Sequence, residues 1–139
     1  MPYPPDVDMA YSIGQLARAA DTGVETIRYY ERRGLMPEPP RAASGYRRYP
    51  DDAAQRLHFI RRAKRLGFTL DEISALLQLQ AGGQRADIKA IAEAKLEEIE
   101  TRLDDLQRMR ATLQDMTQRC SGHGPVEGCP IIETLNDND

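Results

Sequence analysis

The chain has 139 residues, with 40% hydrophobic and 29% charged residues, a net charge of −3, two cysteines and no Trp. These figures describe a globular chain with an aliphatic core and exclude a disordered polymer. No run approaches the roughly 18 apolar residues of a membrane span, and two cysteines are too few for a disulfide framework. The proline-rich, acidic opening MPYPPDVDMA lacks the basic-then-apolar pattern of a secretory signal, so a cytoplasmic home is expected.

Residues 1–10 read as a flexible leader. Tyr11-Ser12-Ile13 reads as a short strand or cap, and Ser12 precedes a helical pattern of Ile13, Leu16, Ala17 and Ala20. Asp21-Thr22-Gly23 breaks it. A second helix carries Val24, Ile27 and Tyr30 at helical spacing and ends near Gly34, where glycine adopts the left-handed conformation without steric cost. Two short helices joined by a tight turn are the skeleton of a helix-turn-helix. Residues 36–49 hold too much Pro and Gly for a helix, and Gly45-Tyr46-Arg47-Arg48-Tyr49 predicts a small hairpin or wing. Pro50-Asp51-Asp52 starts a helix of about 51–66, in which His58 reads as structural. Thr69-Leu70-Asp71-Glu72 is a capping box that opens another helix, broken at Ala81-Gly82-Gly83. Residues 11–81 are thus expected to form a winged helix-turn-helix domain.

Charge within this half is uneven. Arg41, Arg47, Arg48, Arg56, Arg61, Arg62, Lys64 and Arg65 crowd residues 41–65, opposed only by Asp51 and Asp52. Such a basic run inside an acidic protein attracts a polyanion, of which nucleic acid is the usual one.

Residues 84–118 contain neither Gly nor Pro, and Ala92, Leu96, Ile99, Leu103, Leu106 and Leu113 alternate by four and three, with a gap at Arg110. This heptad seam predicts a coiled coil with a second copy of the chain, with packing on its own domain as the alternative. Residues 119–135 read as a metal-binding loop and short helix, and 136–139 as a disordered tail. Cys120 and Cys129 bracket a Gly- and Pro-rich segment that can fold back so that both sulfurs face one ion. Thiolates select soft ions. Zn2+ prefers four ligands, which would require His123 and a residue of a partner chain. A Cys120–Cys129 disulfide in a redox sensor is the alternative. No nucleophile–base pair, phosphate loop or paired-carboxylate signature points to an enzyme.

Ile27-Arg28-Tyr29-Tyr30-Glu31-Arg32-Arg33-Gly34-Leu35 resembles the recognition helix of the MerR family of transcription regulators. Gly45-Tyr46-Arg47-Arg48-Tyr49 resembles its wing, and Arg65-Leu66-Gly67-Phe68-Thr69-Leu70-Asp71-Glu72-Ile73 its second helical pair. The long helix and Cys120…Cys129-Pro130-Ile131-Ile132 resemble the metal-sensing branch. The resemblance departs at the first turn, where Asp21 stands in place of the usual Gly; Asp tolerates the left-handed conformation better than most residues.

The expected fold is all-α with a small β wing: a winged helix-turn-helix, a long antiparallel coiled-coil dimerisation helix and a C-terminal metal loop. The recognition helix is expected in the major groove of promoter DNA, bound as a homodimer at a palindrome. Arg28 lies opposite Ile27 and Tyr30 and reads a guanine edge or clamps a phosphate. Glu25 and Thr26 are further groove candidates, and Tyr29 offers a hydroxyl to phosphate or packs. The resemblance implies that Tyr46, Arg47 and Tyr49 hold the DNA backbone; Arg41, Arg61 and Lys64 are electrostatic candidates. It also implies that effector binding distorts the promoter to suit RNA polymerase, without release of the protein.

Divalent sensors of the family take a further Cys from the other subunit at the start of the long helix and copper sensors usually have Ser there, whereas Arg85 occupies that position here and matches neither. A monovalent ion leaves a two-thiolate site with one negative charge, costly when buried unless compensated, and an Arg nearby compensates it. Cu+, Ag+ or Au+ on Cys120 and Cys129 is therefore the favoured effector, with Hg2+ or another divalent ion as the alternative. His123 and Arg85 are candidates for the metal site or its surroundings.

Overall fold

The structure, a computed structural model, describes residues 11–39 and 48–137. In chain order its elements are β1 (Tyr11–Ser12), α1 (Ile13–Ala19), α2 (Val24–Arg32), β2 (Arg48–Tyr49), α3 (Asp51–Arg65), α4 (Leu70–Gly82), α5 (Arg85–Arg119) and α6 (Pro130–Leu135). They divide into two compact units, one ending at Ala92 and the other beginning at Glu93. No helix of the described residues is long and apolar enough to cross a membrane.

Local chemistry sets the boundaries in the first unit. Ser12 caps α1: its hydroxyl accepts from the Gln15 N–H at 3.2 Å, and Gln15 Oε1 accepts from the Ser12 N–H at 2.9 Å. Ser12 is therefore both strand and cap. Asp21, at φ +52, is the sole non-glycine with positive φ among the described residues. Helix α2 ends in a Schellman motif. Gly34 sits at φ +76, its N–H donates to the Glu31 carbonyl at 3.1 Å, and the Leu35 N–H reaches the Tyr30 carbonyl at 2.8 Å. The same motif closes α3, with Gly67 at φ +93 and the Phe68 N–H on the Ala63 carbonyl at 3.1 Å. Thr69 and Glu72 form the expected capping box of α4.

Leu16 of α1, Ile27 of α2, Ile60 of α3 and Ile73 of α4 are fully buried and meet in one core with Leu35, Met36 and Tyr49. Each such burial contributes on the order of 1.5–3 kcal/mol. Of the hairpin or wing expected at 45–49, Arg48 and Tyr49 alone lie among the described residues. The strand β2 pairs antiparallel with β1, Tyr11 opposite Tyr49 and Ser12 opposite Arg48. The wing stem is therefore stitched to the start of the domain by a partner far away in sequence. The predicted leader and the wing tip lie outside the described residues.

In the second unit, α5 carries the predicted seam. Leu96, Leu103, Leu106, Met109 and Leu113 are all more than half exposed within one chain. Salt bridges at i,i+4 run along the helix: Glu98–Arg102, Asp104–Arg108 and Asp115–Arg119. Each places the acid N-terminal to the base, the favourable order along a helix. Lys95 is buried and its Nζ donates to Glu98 at 2.8 Å. Within the predicted disordered tail, the Asn136 N–H caps α6 on the Ile132 carbonyl and the Asp137 N–H reaches Thr134, while 138–139 lie outside the described residues.

Candidate nucleic-acid interface and thiol loop

Helix α2 is sharply two-faced. Ile27 and Tyr30 face the core, whereas Glu25, Arg28 and Tyr29 are exposed and Thr26 is half-buried. Gly23 precedes the helix in extended backbone and no side chain caps it, so the first-turn N–H groups are open to an acceptor. Tyr29 sits among cations: its hydroxyl accepts from Arg33 Nη1 at 3.0 Å, and the Arg32 and Arg33 guanidiniums lie 6.0 and 5.8 Å from its ring centre. Arg33 also pairs with Asp71 of α4 at 3.3 Å. Arg32 and Arg33 thus join the exposed face around Tyr29. Sequence reading passed over them, although the run Tyr29-Tyr30-Glu31-Arg32-Arg33 places both within one turn of Tyr29.

The basic run is less uniform than its composition. The Nε of Arg56 donates inward to the Leu35 carbonyl at 2.6 Å. Arg61 Nη1 donates to the Asp21 carbonyl at 3.1 Å and to its carboxylate at 3.3 Å. Arg62, Lys64 and Arg65 are exposed, as is His58, which therefore takes no place in the core. Arg41, Tyr46 and Arg47 lie outside the described residues. Tyr49 requires a correction. Its side chain is fully buried and its hydroxyl donates to Glu31 Oε2 at 2.9 Å, so it cannot hold a DNA backbone from this position. It packs the wing stem onto α2 instead.

The two cysteines are free and half-buried. Cys120 follows the last residue of α5, and Cys129 precedes α6 with Pro130 in the first helical position. Between them the chain turns through Gly122, Gly124 and Gly128 at φ +78, +94 and +78. The backbone N–H of Ile132, then that of Ile131, hydrogen-bonds the Cys129 sulfur and draws its thiol below the ordinary range. A hydrogen bond with the Cys120 thiol adds to this, against burial and the Glu133 charge. The loop therefore brings both sulfurs together and favours thiolate at one of them.

Among the described residues no three His, Cys, Asp or Glu side chains gather as a metal-binding group. His123 is exposed and is thus not brought to the cysteine pair as a third ligand within the chain; its backbone instead exchanges hydrogen bonds with the Ser121 hydroxyl. Arg85 is exposed at the start of α5. The donor set fits a soft ion content with two sulfurs and does not by itself fit tetrahedral zinc.

Two family models match. One, described as MerR HTH family regulatory protein, covers residues 11–80, and the other, described as MerR, DNA binding, covers 54–116. The mercuric resistance operon regulatory protein of Bacillus cereus is 43% identical over 129 residues, 91% of this chain and 98% of that protein. The transcription regulator PbrR691 from Ralstonia metallidurans, solved in complex with lead(II), superposes with a TM-score of 0.81 at 34% identity, covering 91% of this chain and 99% of that one. The regulator MerR of Bacillus megaterium, solved with mercury(II), gives a TM-score of 0.71 at 39% identity over 91% of this chain and all of that chain.

Proposed function

Because this chain belongs to the MerR family of helix-turn-helix regulators, we propose that it is a cytoplasmic, metal-responsive transcription activator and not an enzyme. It binds a palindromic promoter as a homodimer, with α2 in the major groove and the exposed seam of α5 paired with that of a second copy. A thiophilic ion on Cys120 and Cys129 shifts the dimer to a form that distorts the DNA and serves RNA polymerase, switching on metal-resistance genes. Exposed Glu25 and Arg28, with half-buried Thr26, are the groove residues of this reading, and exposed Tyr29 offers its hydroxyl to a phosphate. Lys64 and the wing residues Arg41, Tyr46 and Arg47 hold the backbone.

The observation that carries the metal reading is the pair of free thiols turned toward each other by three glycines, with backbone N–H groups favouring thiolate at Cys129. When bound, the ion supplies a link between the end of α5 and the start of α6. Cu+, Ag+ or Au+ is favoured, because two sulfurs suffice and Arg85 stands where the resemblance puts a third thiol in divalent sensors. Contributed by the partner subunit, its guanidinium would balance the remaining negative charge. Hg2+ is the second metal reading. It also accepts two thiolates; a relative of this chain is named for mercuric resistance, and a structural neighbour was solved with mercury(II).

A redox reading rests on the same proximity. Peroxide would take two electrons from the two thiols, with loss of two protons, to give a Cys120–Cys129 disulfide. Titrating reduced protein with Cu+ and with Hg2+ under excess competing thiol separates these readings. Stoichiometric binding, with X-ray absorption counting two sulfurs, supports a metal sensor, and the tighter ion under the thiol buffer is the effector. Failure of both ions to bind leaves only the redox reading.

A further inference from the structure

The turn between α1 and α2 carries an acid at the position where the conformation favours glycine. Asp21 holds φ +52. A non-glycine residue pays roughly 1–2 kcal/mol for that region, less for Asp, so its side chain invites an explanation. Arg61 of α3 supplies one. A single guanidinium nitrogen, Nη1, meets the Ala20 carbonyl at 3.4 Å, the Asp21 carbonyl at 3.1 Å and the Asp21 carboxylate at 3.3 Å. The carbonyls lie at the C-terminal end of α1, where the helix dipole is negative. The pair faces a cleft of about 360 Å³ that also receives Thr22, Lys64 and Arg65. Asp21 is the one acid lining this cleft, against three cations. Lys64 and Arg65 are exposed and have no ion-pair or hydrogen-bonded side-chain partner among the described residues.

We propose that this cleft seats a backbone phosphate of DNA, and that Asp21 sets its strength by acting as an internal counter-ion of Arg61. The inference rests on the DNA-binding reading above. A cation neutralised within the protein brings no counter-ion exchange with DNA, whereas a free one contributes about 0.9 to the slope of log affinity against log salt. Asp21 therefore determines how much of the basic run the DNA feels, and it tempers binding that carries no sequence information.

The test uses the full chain and a labelled mixed-sequence duplex, because phosphate contacts ignore sequence. Fluorescence anisotropy is read across a series of KCl concentrations. Asp21→Asn keeps a residue that tolerates positive φ, and Asp21→Gly provides a second variant with the same backbone freedom. Both are expected to steepen the slope by about one and to tighten binding roughly threefold at low salt. Lys64→Gln is expected to flatten the slope by about one. With Arg61→Gln in the background, Asp21→Asn should give less than half of its gain. An unchanged slope in both Asp21 variants overturns the proposal, as does an equal gain with and without Arg61. Wild-type protein showing no salt-dependent binding at all would instead sink the DNA-binding reading, and this proposal with it.

Discussion

Cys129 illustrates how one side chain's chemistry is set by its neighbours. The N–H groups of Ile132 and Ile131 favour its thiolate, and these donors remain when Cys120 is removed. In a Cys120→Ser variant, ultraviolet thiolate absorbance should still rise at lower pH than for an ordinary thiol. The sign of the linked stability follows. A depressed acid contributes stability fully above the ordinary thiol value, and this is lost as pH falls through the lowered folded value. Metal affinity should weaken over the same fall, because a proton then competes for the sulfur. A thiol titrating like free cysteine would remove the thiolate argument. Tyr49 is the second residue whose role is decided by surroundings. Deleting its buried hydroxyl in Tyr49→Phe removes one hydrogen bond to the Glu31 carboxylate, a loss of about 1.5–3 kcal/mol for a bond to a charged group. Urea denaturation of the variant should report it, and no change in midpoint would mean that Glu31 repairs its bonding elsewhere.

At the level of elements, the seam of α5 was legible because its information is periodic and local: apolar residues alternate by four and three along one helix that nothing interrupts. The caps at Ser12, Gly34 and Thr69 were legible for the same reason, since each involves residues within a turn of one another. The pairing of β2 with β1 was not, because Tyr49 and its partner Tyr11 are brought together by the intervening helices. The alternating aromatic and basic residues of the wing likewise do not say which face turns inward, and so Tyr49 read as a surface residue. Nor does a count of cations show that Arg56 is spent on the Leu35 carbonyl. The thiol pair was legible from spacing and glycine content, and Pro130 marks the helix start that favours thiolate at Cys129; which N–H groups reach the sulfur, those of Ile132 and Ile131, required α6 to be placed. The exposed seam gives the test at this scale. Leu103→Glu or Leu106→Glu sets a charge where a partner's apolar side chain should lie, and sedimentation should show monomer at concentrations where wild type is dimeric. A monomeric wild type would leave the stripe without its proposed occupant.

For the whole molecule, the proposed switch has a thermodynamic consequence beyond loss of function. Bending and untwisting a promoter costs several kcal/mol, and a ligand supplies that only as a difference in its affinity for the two protein states. If the ion changes the shape of the complex without releasing the protein, DNA affinity should be nearly equal with and without metal. Reciprocity then requires metal affinity to be nearly equal on and off DNA. Two titrations check this, anisotropy of a promoter duplex with and without the ion, and ion competition with and without the duplex, and both ratios are expected within about threefold of one. Cys120→Ser and Cys129→Ser should keep promoter occupancy and lose induced transcription, because they remove the ligand and leave α2 and its basic surroundings untouched. A metal that instead lowers DNA affinity a hundredfold would make the chain a derepressor. Distortion would then be unnecessary, since release alone would free the promoter.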